Sequence, residues 1–385
     1  MAQTSLLNTT WALHRLSPLH HGKEFDTLLD NPVALRTYAT RLRDQLTGAS
    51  FLSAVQSSGP ATEDDALSRT GALQSCTWEP ILNLSLSEIE DENNPGNGSQ
   101  PSSPPRPRVR TQRLPPSLSP SHQGGGILVT LEYENTTYKA ALLTLSSLTS
   151  QLEPTAKPRA RTRSQTQTHA TRLPLLLTRF PAPLRQTFIS FLSATFDTYC
   201  SPFRLPSHFI GTALTTYINT LTSEGEPGTL NPVDILKELH LTLSFPASVA
   251  PDLRSLNITI PRESLSGFLR AEGNGAGSES DVLSILSAYL EEHLAMKFDL
   301  SGAGAGAGPF VKGQEHVRLA KIACGGFLLG GEGRLKLVAA PSASENGESD
   351  GAAGRKNHLT LRACEVLLSD VVRRAVVSEN DDQET

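Results

Sequence analysis

The sequence predicts an α+β fold, in which an antiparallel or mixed β-sheet packs against helices. The strongest observation is that apolar and polar residues alternate strictly along residues 238–245 and 255–260. This alternation is typical of strands that bury one face and expose the other to water. Elsewhere apolar residues recur at helical spacing, as in residues 184–196 and 209–221, so helices are expected beside the sheet.

Length, charge and cysteine content narrow the class of protein. A chain of 385 residues predicts two to three domains, and its net charge is -5. It contains no run of 18 apolar residues, and residues 1–10 do not resemble a signal peptide, so no membrane contact is expected. The four cysteines form no CxxC motif, which favours reduced thiols in a nuclear or cytosolic protein.

Residues 1–87 are predicted to form an N-terminal α/β region. A short strand is expected at 11–16, and His20 and His21 are expected in a solvated loop. A helix should begin after Asn31, because Pro32 suits the first helical position, and should end at Gly48. Residues 127–152 alternate around a turn at 134–135 and predict a β-hairpin that joins this region.

Two segments are predicted to be disordered linkers, residues 88–126 and 153–172. Both are rich in Pro, Ser or Arg and cannot bury enough apolar area to offset their ordering entropy. Their cations are Arg106, Arg108, Arg110 and Arg113 in the first linker, and Lys157, Arg159, Arg161 and Arg163 in the second. These side chains could contact nucleic-acid phosphates without reading sequence, or they could simply keep the linkers solvated.

The first linker also contains a pattern for proline-directed kinases. Ser103 is followed by Pro104, and Arg106 stands three residues after the serine. A phosphate there would partly cancel the charge of the neighbouring arginines. Ser103 is therefore a candidate phosphorylation site, although such matches are common by chance.

Residues 173–378 are predicted to form a C-terminal α+β domain. Two helices come first, followed by the two alternating strands and by helices at 262–270 and 281–296. A strand–Gly–strand region is expected at 315–338, a Gly/Ser/Asn loop at 341–356 and a last helix around 367–375. Residues 379–385 are expected to be a disordered acidic tail.

The sequence contains no motif that favours an enzyme. It lacks GxSxG and HExxH, and its GAGAGAG run lacks the spacing of a phosphate-binding loop. No cofactor, metal or small-molecule substrate is therefore expected. Residues 315–338 could instead form a sheet edge that pairs with a partner strand, or they could be inner strands of the chain's own sheet.

Several ordered segments together resemble a known family. They are TWALHRLSPLHH (10–21), NPVALRTYATRLRDQL (31–46), LEYENTTYKAALL (131–143), FDTYCSPFRLPSHFI (196–210), ELHLTLSF (238–245) and GGFLLGGEGRLKL (325–337). This set resembles the fungal branch of the centromere protein CENP-L family, which are inner-kinetochore subunits of the constitutive centromere-associated network. The resemblance implies a large, curved, mostly antiparallel sheet flanked by helices.

The same resemblance implies a non-enzymatic structural role in chromosome segregation, in the nucleus at the kinetochore. Such proteins pair with a CENP-N-like partner through their C-terminal sheets, work with other inner-kinetochore subunits, and can face centromeric nucleosomes or DNA. Carried over by segment, the partner surface would include Arg318, Leu319, Ile322, Phe327, Leu328, Leu335 and Leu337. The alternative function is a stand-alone nucleic-acid-binding protein that acts through its basic linkers.

Overall fold

The structure of the chain is a computed structural model. The described residues are 6–25, 27–56, 70–86, 124–145, 170–223, 232–245, 252–270, 282–294, 317–339 and 351–381. Ser103 and the eight linker cations singled out from the sequence lie outside these ranges. Within them, no helix is both long enough and apolar enough to cross a membrane.

The described residues form thirteen strands and seven helices. The strands are β1 Thr10–Leu16, β2 Leu19–His20, β3 Leu73–Ile81, β4 Gly124–Tyr133, β5 Thr137–Leu145, β6 Ala170–Thr171, β7 Leu175–Arg179, β8 Cys200–Pro202, β9 Leu239–Ser244, β10 Ser255–Ile260, β11 Arg318–Ala323, β12 Phe327–Gly330 and β13 Arg334–Leu337. The helices are α1 Pro32–Gln56, α2 Ala182–Phe196, α3 Ser207–Ser223, α4 Pro232–Leu236, α5 Arg262–Arg270, α6 Val282–Leu294 and α7 Gly351–Asp381.

Eleven strands form one sheet, and its order confirms the predicted α+β class. The order is β10-β9-β11-β12-β13-β1-β7-β5-β4-β3, with β8 beside β1, and the pairs within the sheet are antiparallel. β2 and β6 form a separate two-stranded ribbon. The sheet runs continuously across residue 173, where a domain boundary is expected, because β7 lies between β1 and β5.

The sheet carries a hydrophobic core on each of its faces. On the first face, one apolar cluster extends along the sheet and includes residues of α3 to α7. On the second face, a separate cluster joins α1 and α2 to β1, β3, β4, β5 and β7. This second cluster contains no residue of β9 to β13, so the two ends of the sheet are covered differently.

Several expectations about single elements need correction. Helix α1 passes through Gly48 and continues to Gln56, because an isolated glycine costs a helix only about 1 kcal/mol relative to alanine. Helix α7 already begins at Gly351, inside the expected loop, and reaches Asp381, inside the expected tail. The glycines at 124–126 belong to strand β4, and strand β3 was not expected at all.

The expected solvated histidine loop is also corrected. His20 is exposed, but His21 is buried at 5% exposure. Its Nδ1 lies 2.9 Å from the Phe25 carbonyl oxygen, and its Nε2 lies 3.0 Å from Thr171 Oγ1. The same hydroxyl accepts a hydrogen bond from the Leu28 amide. His21 therefore ties the loop after β2 to β6.

Candidate functional site

The strands of residues 315–338, for which an edge and an inner position were both open, lie inside the sheet. β11 pairs with β9 and β12, β12 with β11 and β13, and β13 with β12 and β1. The edge interpretation of residues 315–338 is therefore wrong, and the inner-strand alternative describes them. Five of the seven side chains assigned to the partner surface are buried in this chain's own core: Leu319, Ile322, Phe327, Leu335 and Leu337.

A close packing arrangement holds these inner strands against the helices. The Phe327 ring packs on the Tyr217 ring of α3, with the centroids 4.8 Å apart. Gly326 lets the rings meet, because a Cβ there would collide with the Tyr217 hydroxyl. The Cys364 sulfur of α7 lies 3.6 Å from the Gly326 carbonyl oxygen. Residues 326–327 are thus fixed by two helices at once.

The second face of β9 to β13 is open to solvent, and we call it the open face. Register places alternate residues of these strands on it, and they are polar or charged with few exceptions. Those that are exposed or half-buried are Ser255, Asn257 and Thr259 on β10, His240, Thr242 and Ser244 on β9, Arg318, Lys321 and Ala323 on β11, Leu328 on β12, and Arg334 and Lys336 on β13.

The part of the open face on β9 and β10 is polar and internally hydrogen-bonded. His240 Nδ1 lies 3.0 Å from Thr259 Oγ1, and the Thr242 hydroxyl donates to Asn257 Oδ1 at 2.8 Å. Cross-strand pairs of this kind stabilise a two-strand unit by a few tenths of a kcal/mol to about 1 kcal/mol each. They keep β10 in register with β9 although β10 has no second neighbour among the described residues.

The part of the open face on β11 and β13 is basic. It carries Arg318, Lys321, Arg334 and Lys336, and strands β11 to β13 contain no acidic residue. The nearest acidic residue in sequence is Glu332, which is exposed in the turn between β12 and β13. Four cations on one face of three neighbouring strands create a positive potential that attracts anionic groups.

The two terminal strands of the sheet differ in how well they are protected. β3 carries Pro80, has an irregular register near Leu73 and packs against α1. Proline and bulges are the devices by which natural proteins block strand addition. β10 has neither proline nor a charged residue over Ser255–Ile260, and its register with β9 is regular. Within the described part of the chain, β10 is therefore the unblocked edge.

The core-facing side of β10 is only partly sealed. Ile260 is buried, whereas Leu256 and Ile258 are half-buried against the first-face cluster. Leu253, just before the strand, is 45% exposed. A partner strand laid against β10 would cover these apolar side chains while it pairs with the backbone.

His14 on β1 marks the boundary between the covered and open parts of the second face. It pairs across the sheet with Leu176 and is buried at 6% exposure. Burial, with a smaller contribution from the Arg185 guanidinium on α2, lowers its pKa below the ordinary value. Among the described residues its Nδ1 has no hydrogen-bond partner, so a neutral ring is favoured there.

Two kinds of reactive site are relevant to the described residues, a metal-binding cluster and a reactive thiol. No three His, Cys, Asp or Glu side chains within those ranges are placed to hold a metal ion. Burial raises the pKa of the Cys76, Cys200 and Cys364 thiols to about 12 and that of Cys324 to about 11. Neutral thiols are poor nucleophiles, so these four are structural.

Comparison with protein-family models identifies a family that matches this chain. The model of the family described as centromere protein L matches residues 5–376, which is nearly the whole chain. No curated protein matches the sequence. The matched range includes both ends of the sheet, the open face and helix α7 to within a few residues of its end.

Proposed function

The chain belongs to the centromere protein L family and is thus a protein of the centromere and kinetochore, and from this premise we propose that it is a non-enzymatic subunit of the inner kinetochore. It pairs with a CENP-N-like partner and helps to link centromeric chromatin to the rest of the assembly. Two surfaces share the work: the edge of β10 binds the partner chain, and the basic part of the open face attracts DNA phosphates.

The unblocked edge of β10 is the observation that carries the pairing proposal. A strand added there gains backbone hydrogen bonds worth about 0.5–1.5 kcal/mol each, net of water. It also covers the half-buried Leu256 and Ile258, and buried apolar area contributes about 25 cal/mol per Å². The other terminal strand, β3, offers no comparable edge because Pro80 and α1 stand beside it.

The residues assigned to the partner surface from the resemblance divide into two groups. Arg318 and Leu328 face the open side, so a partner that reaches over the edge could contact them. Both belong to the proposed surface. The five buried members act only by holding β11 to β13 in place behind β9. The pairing surface therefore centres on β10 and extends to the open face.

The basic part of the open face supports the proposed contact with DNA. When the logarithm of the DNA-binding constant is plotted against the logarithm of the salt concentration, each phosphate that a Lys or Arg neutralises makes the slope more negative by about 0.9. Four cations therefore supply a modest, sequence-independent affinity. That is the contribution expected of a subunit that relies on its partner and on other subunits to select the site.

The pairing proposal is tested by placing lysines on the unblocked edge. In the double variant Leu253→Lys, Ser255→Lys, the two charges stand at the exposed start of β10, where they oppose a docking strand. Both cross-strand hydrogen bonds that hold β10 on β9 are kept. Co-expression with the CENP-N-like chain of the same organism, followed by titration of the purified chains, should show at least about a tenfold loss of affinity, or about 1.4 kcal/mol.

The matched control carries the same charge on the blocked edge. Gln74 and Thr77 are exposed on β3, so Gln74→Lys, Thr77→Lys should leave the affinity unchanged. Both variants should melt within a few degrees of the parent chain. Full affinity of the β10 variant would refute the assignment to this edge. Strong salt-dependent DNA binding by the chain alone, lost on deleting 101–123 and 153–169, which spares β4 and β6, would favour the stand-alone nucleic-acid-binding alternative.

A further inference from the structure

The short strand β8 carries the same kinase pattern as Ser103 in the first linker. Ser201 precedes a proline, and Arg204 stands three residues after the serine. Four serines of the chain precede a proline, and only Ser103 and Ser201 have an arginine at that third position. A proline-directed kinase that favours a basic residue there therefore has two matching serines, and one of them lies within the described residues.

Ser201 lies on a short strand that is paired along one side. β8 has three residues and pairs with β1, and it has no second strand neighbour within the described ranges. Tyr199, just before the strand, is 71% exposed, and Pro202 and Arg204 are exposed as well. The buried Phe203 side chain sets the main cost of opening this segment. The segment can therefore detach locally from β1 while the rest of the sheet stays paired.

A second serine that precedes a proline, Ser17, lies beside β8 and is tied into the fold. Its hydroxyl oxygen lies 3.1 Å from Thr198 Oγ1 and accepts a hydrogen bond from the Tyr199 amide at 2.8 Å. The half-buried Ser201 hydroxyl, by contrast, has no hydrogen-bond partner in the described part of the chain. A kinase that meets the detached segment therefore finds a hydroxyl that gives up no side-chain hydrogen bond when it reacts.

We propose that Ser201 is a phosphorylation site for a proline-directed kinase and that its phosphate then holds β8 against β1. The kinase transfers the γ-phosphoryl group of a nucleoside triphosphate: the Ser201 oxygen–phosphorus bond forms, the bond to the β-phosphate oxygen breaks, and the hydroxyl proton leaves to the kinase base. The product carries a charge of about -1.5 to -2 and three strong acceptor oxygens on β8.

The residue opposite Ser201 is able to bind that phosphate. Ser201 pairs with Arg15 across β8 and β1, so the two side chains leave the same face of the sheet, with Cβ atoms about 4.5–5.5 Å apart. A guanidinium has five N–H donors, so Arg15 can bind phosphate in addition to its other contacts. Neither strand contains an acidic residue. Modification therefore closes β8 on β1, and this device is separate from the β10 edge and from the open face.

The test of the site uses the full chain, a proline-directed kinase and ATP, with a linear peptide of residues 197–206 as the positive control. Phosphosite mapping should find phosphate on Ser201 in the chain and in the peptide. Arg204→Ala should slow modification of Ser201 at least about fivefold, because the kinase loses a charge-assisted contact. Ser17→Ala, which removes the neighbouring serine, should retain it. A chain left unmodified at Ser201 while the peptide reacts, or a peptide that does not react, would overturn the proposal.

Hydrogen exchange tests whether the phosphate closes β8 on β1. Phosphorylation of Ser201 should slow amide exchange in β8 and in the facing half of β1 at least about fivefold. In an Arg15→Gln background the same modification should slow exchange much less, because the opposite cation is gone. Arg36→Gln, which removes an exposed cation of α1, should keep the full effect. Equal slowing with and without Arg15, or faster exchange after phosphorylation of the parent chain, would refute the proposed closure.

Discussion

The two ends of the sheet are built from the same kind of alternating strands but are covered differently. At the β3 end, α1 packs against β3 on the second face, α7 contacts β5 on the first face, and the terminal strand carries Pro80. At the β10 end, only the first face is covered, and the second presents polar and basic residues. The β3 end is therefore closed to further pairing, whereas the β10 end has one exposed face and one exposed edge that can bind a partner. Substitutions on the surface of the β10 end should therefore reduce binding, and substitutions in the core at either end should reduce stability.

The largest effect is expected from a charge placed in the core of the inner strands. Leu335 is buried opposite Trp11, and Leu335→Glu would leave an unpaired carboxylate there. We expect a loss of about 3–5 kcal/mol of unfolding free energy or complete failure to fold. Denaturant titration of the variant and the parent chain measures this loss of unfolding free energy. Leu337→Glu should behave in the same way.

The neighbouring residue on β13 provides the control for this prediction. Lys336 lies on the open face, so Lys336→Glu should change stability by less than about 0.5 kcal/mol. Similar losses for Leu335→Glu and Lys336→Glu would contradict the division between a buried first face and an open second face.

A smaller loss is expected where α3 meets the inner strands. Gly326→Ala would force a methyl group against the Tyr217 hydroxyl, and overpacking of this kind costs about 1–3 kcal/mol. Gly267 on α5 has open space around its Cα. Gly267→Ala should therefore stabilise the chain by up to about 1 kcal/mol. Thermal melting of both variants measures these opposite changes in stability. A Gly326→Ala chain as stable as the parent would show that the Tyr217 side chain can move aside.

Charge reversal on the open face should weaken DNA binding without unfolding the protein. We expect the double variant Lys321→Glu, Arg334→Glu to lose roughly tenfold in duplex affinity near 0.1 M salt and to bind with a shallower salt slope. Arg36 and Arg43 are exposed on α1, at the covered end. Their reversal to Glu is the matched control and should have less effect, and equal losses would mean that net charge alone governs binding.

The sequence patterns identify the faces of the strands better than they identify the neighbours of each strand. Alternation in β9 and β10 correctly predicts one buried and one exposed face, and the helices α2 and α3 follow their apolar spacing. Alternation in β13 has the same form at an edge and in the interior, so it could not decide where residues 315–338 lie. That position depends on Thr10–Ala12 pairing with β13, a contact between distant parts of the chain that leaves no local signal.

The candidate surfaces were predictable only in part for the same reason. Arg318 and Leu328 enter the proposed surface by resemblance, but Lys321, Arg334 and Lys336 become a basic group only when three strands lie side by side. Nothing local distinguishes the β10 edge either. The absence of proline and charge in residues 255–260 is visible in the sequence, but it acquires meaning only when the strand is known to be terminal.

The smallest effect is expected at His14, where the covered and open parts of the second face meet. Its pKa is lowered in the folded chain, mainly by burial, so below about pH 6.5 the unfolded chain binds the proton more readily than the folded chain does. Unfolding free energy should therefore fall as the pH drops from about 6.5 through the lowered pKa, by at most about 1.4 kcal/mol per pH unit from this residue. His14→Gln should flatten that slope between pH 7 and 5. An unchanged slope in the His14 variant would mean that the boundary admits water, and that the covered part of the second face ends before β1.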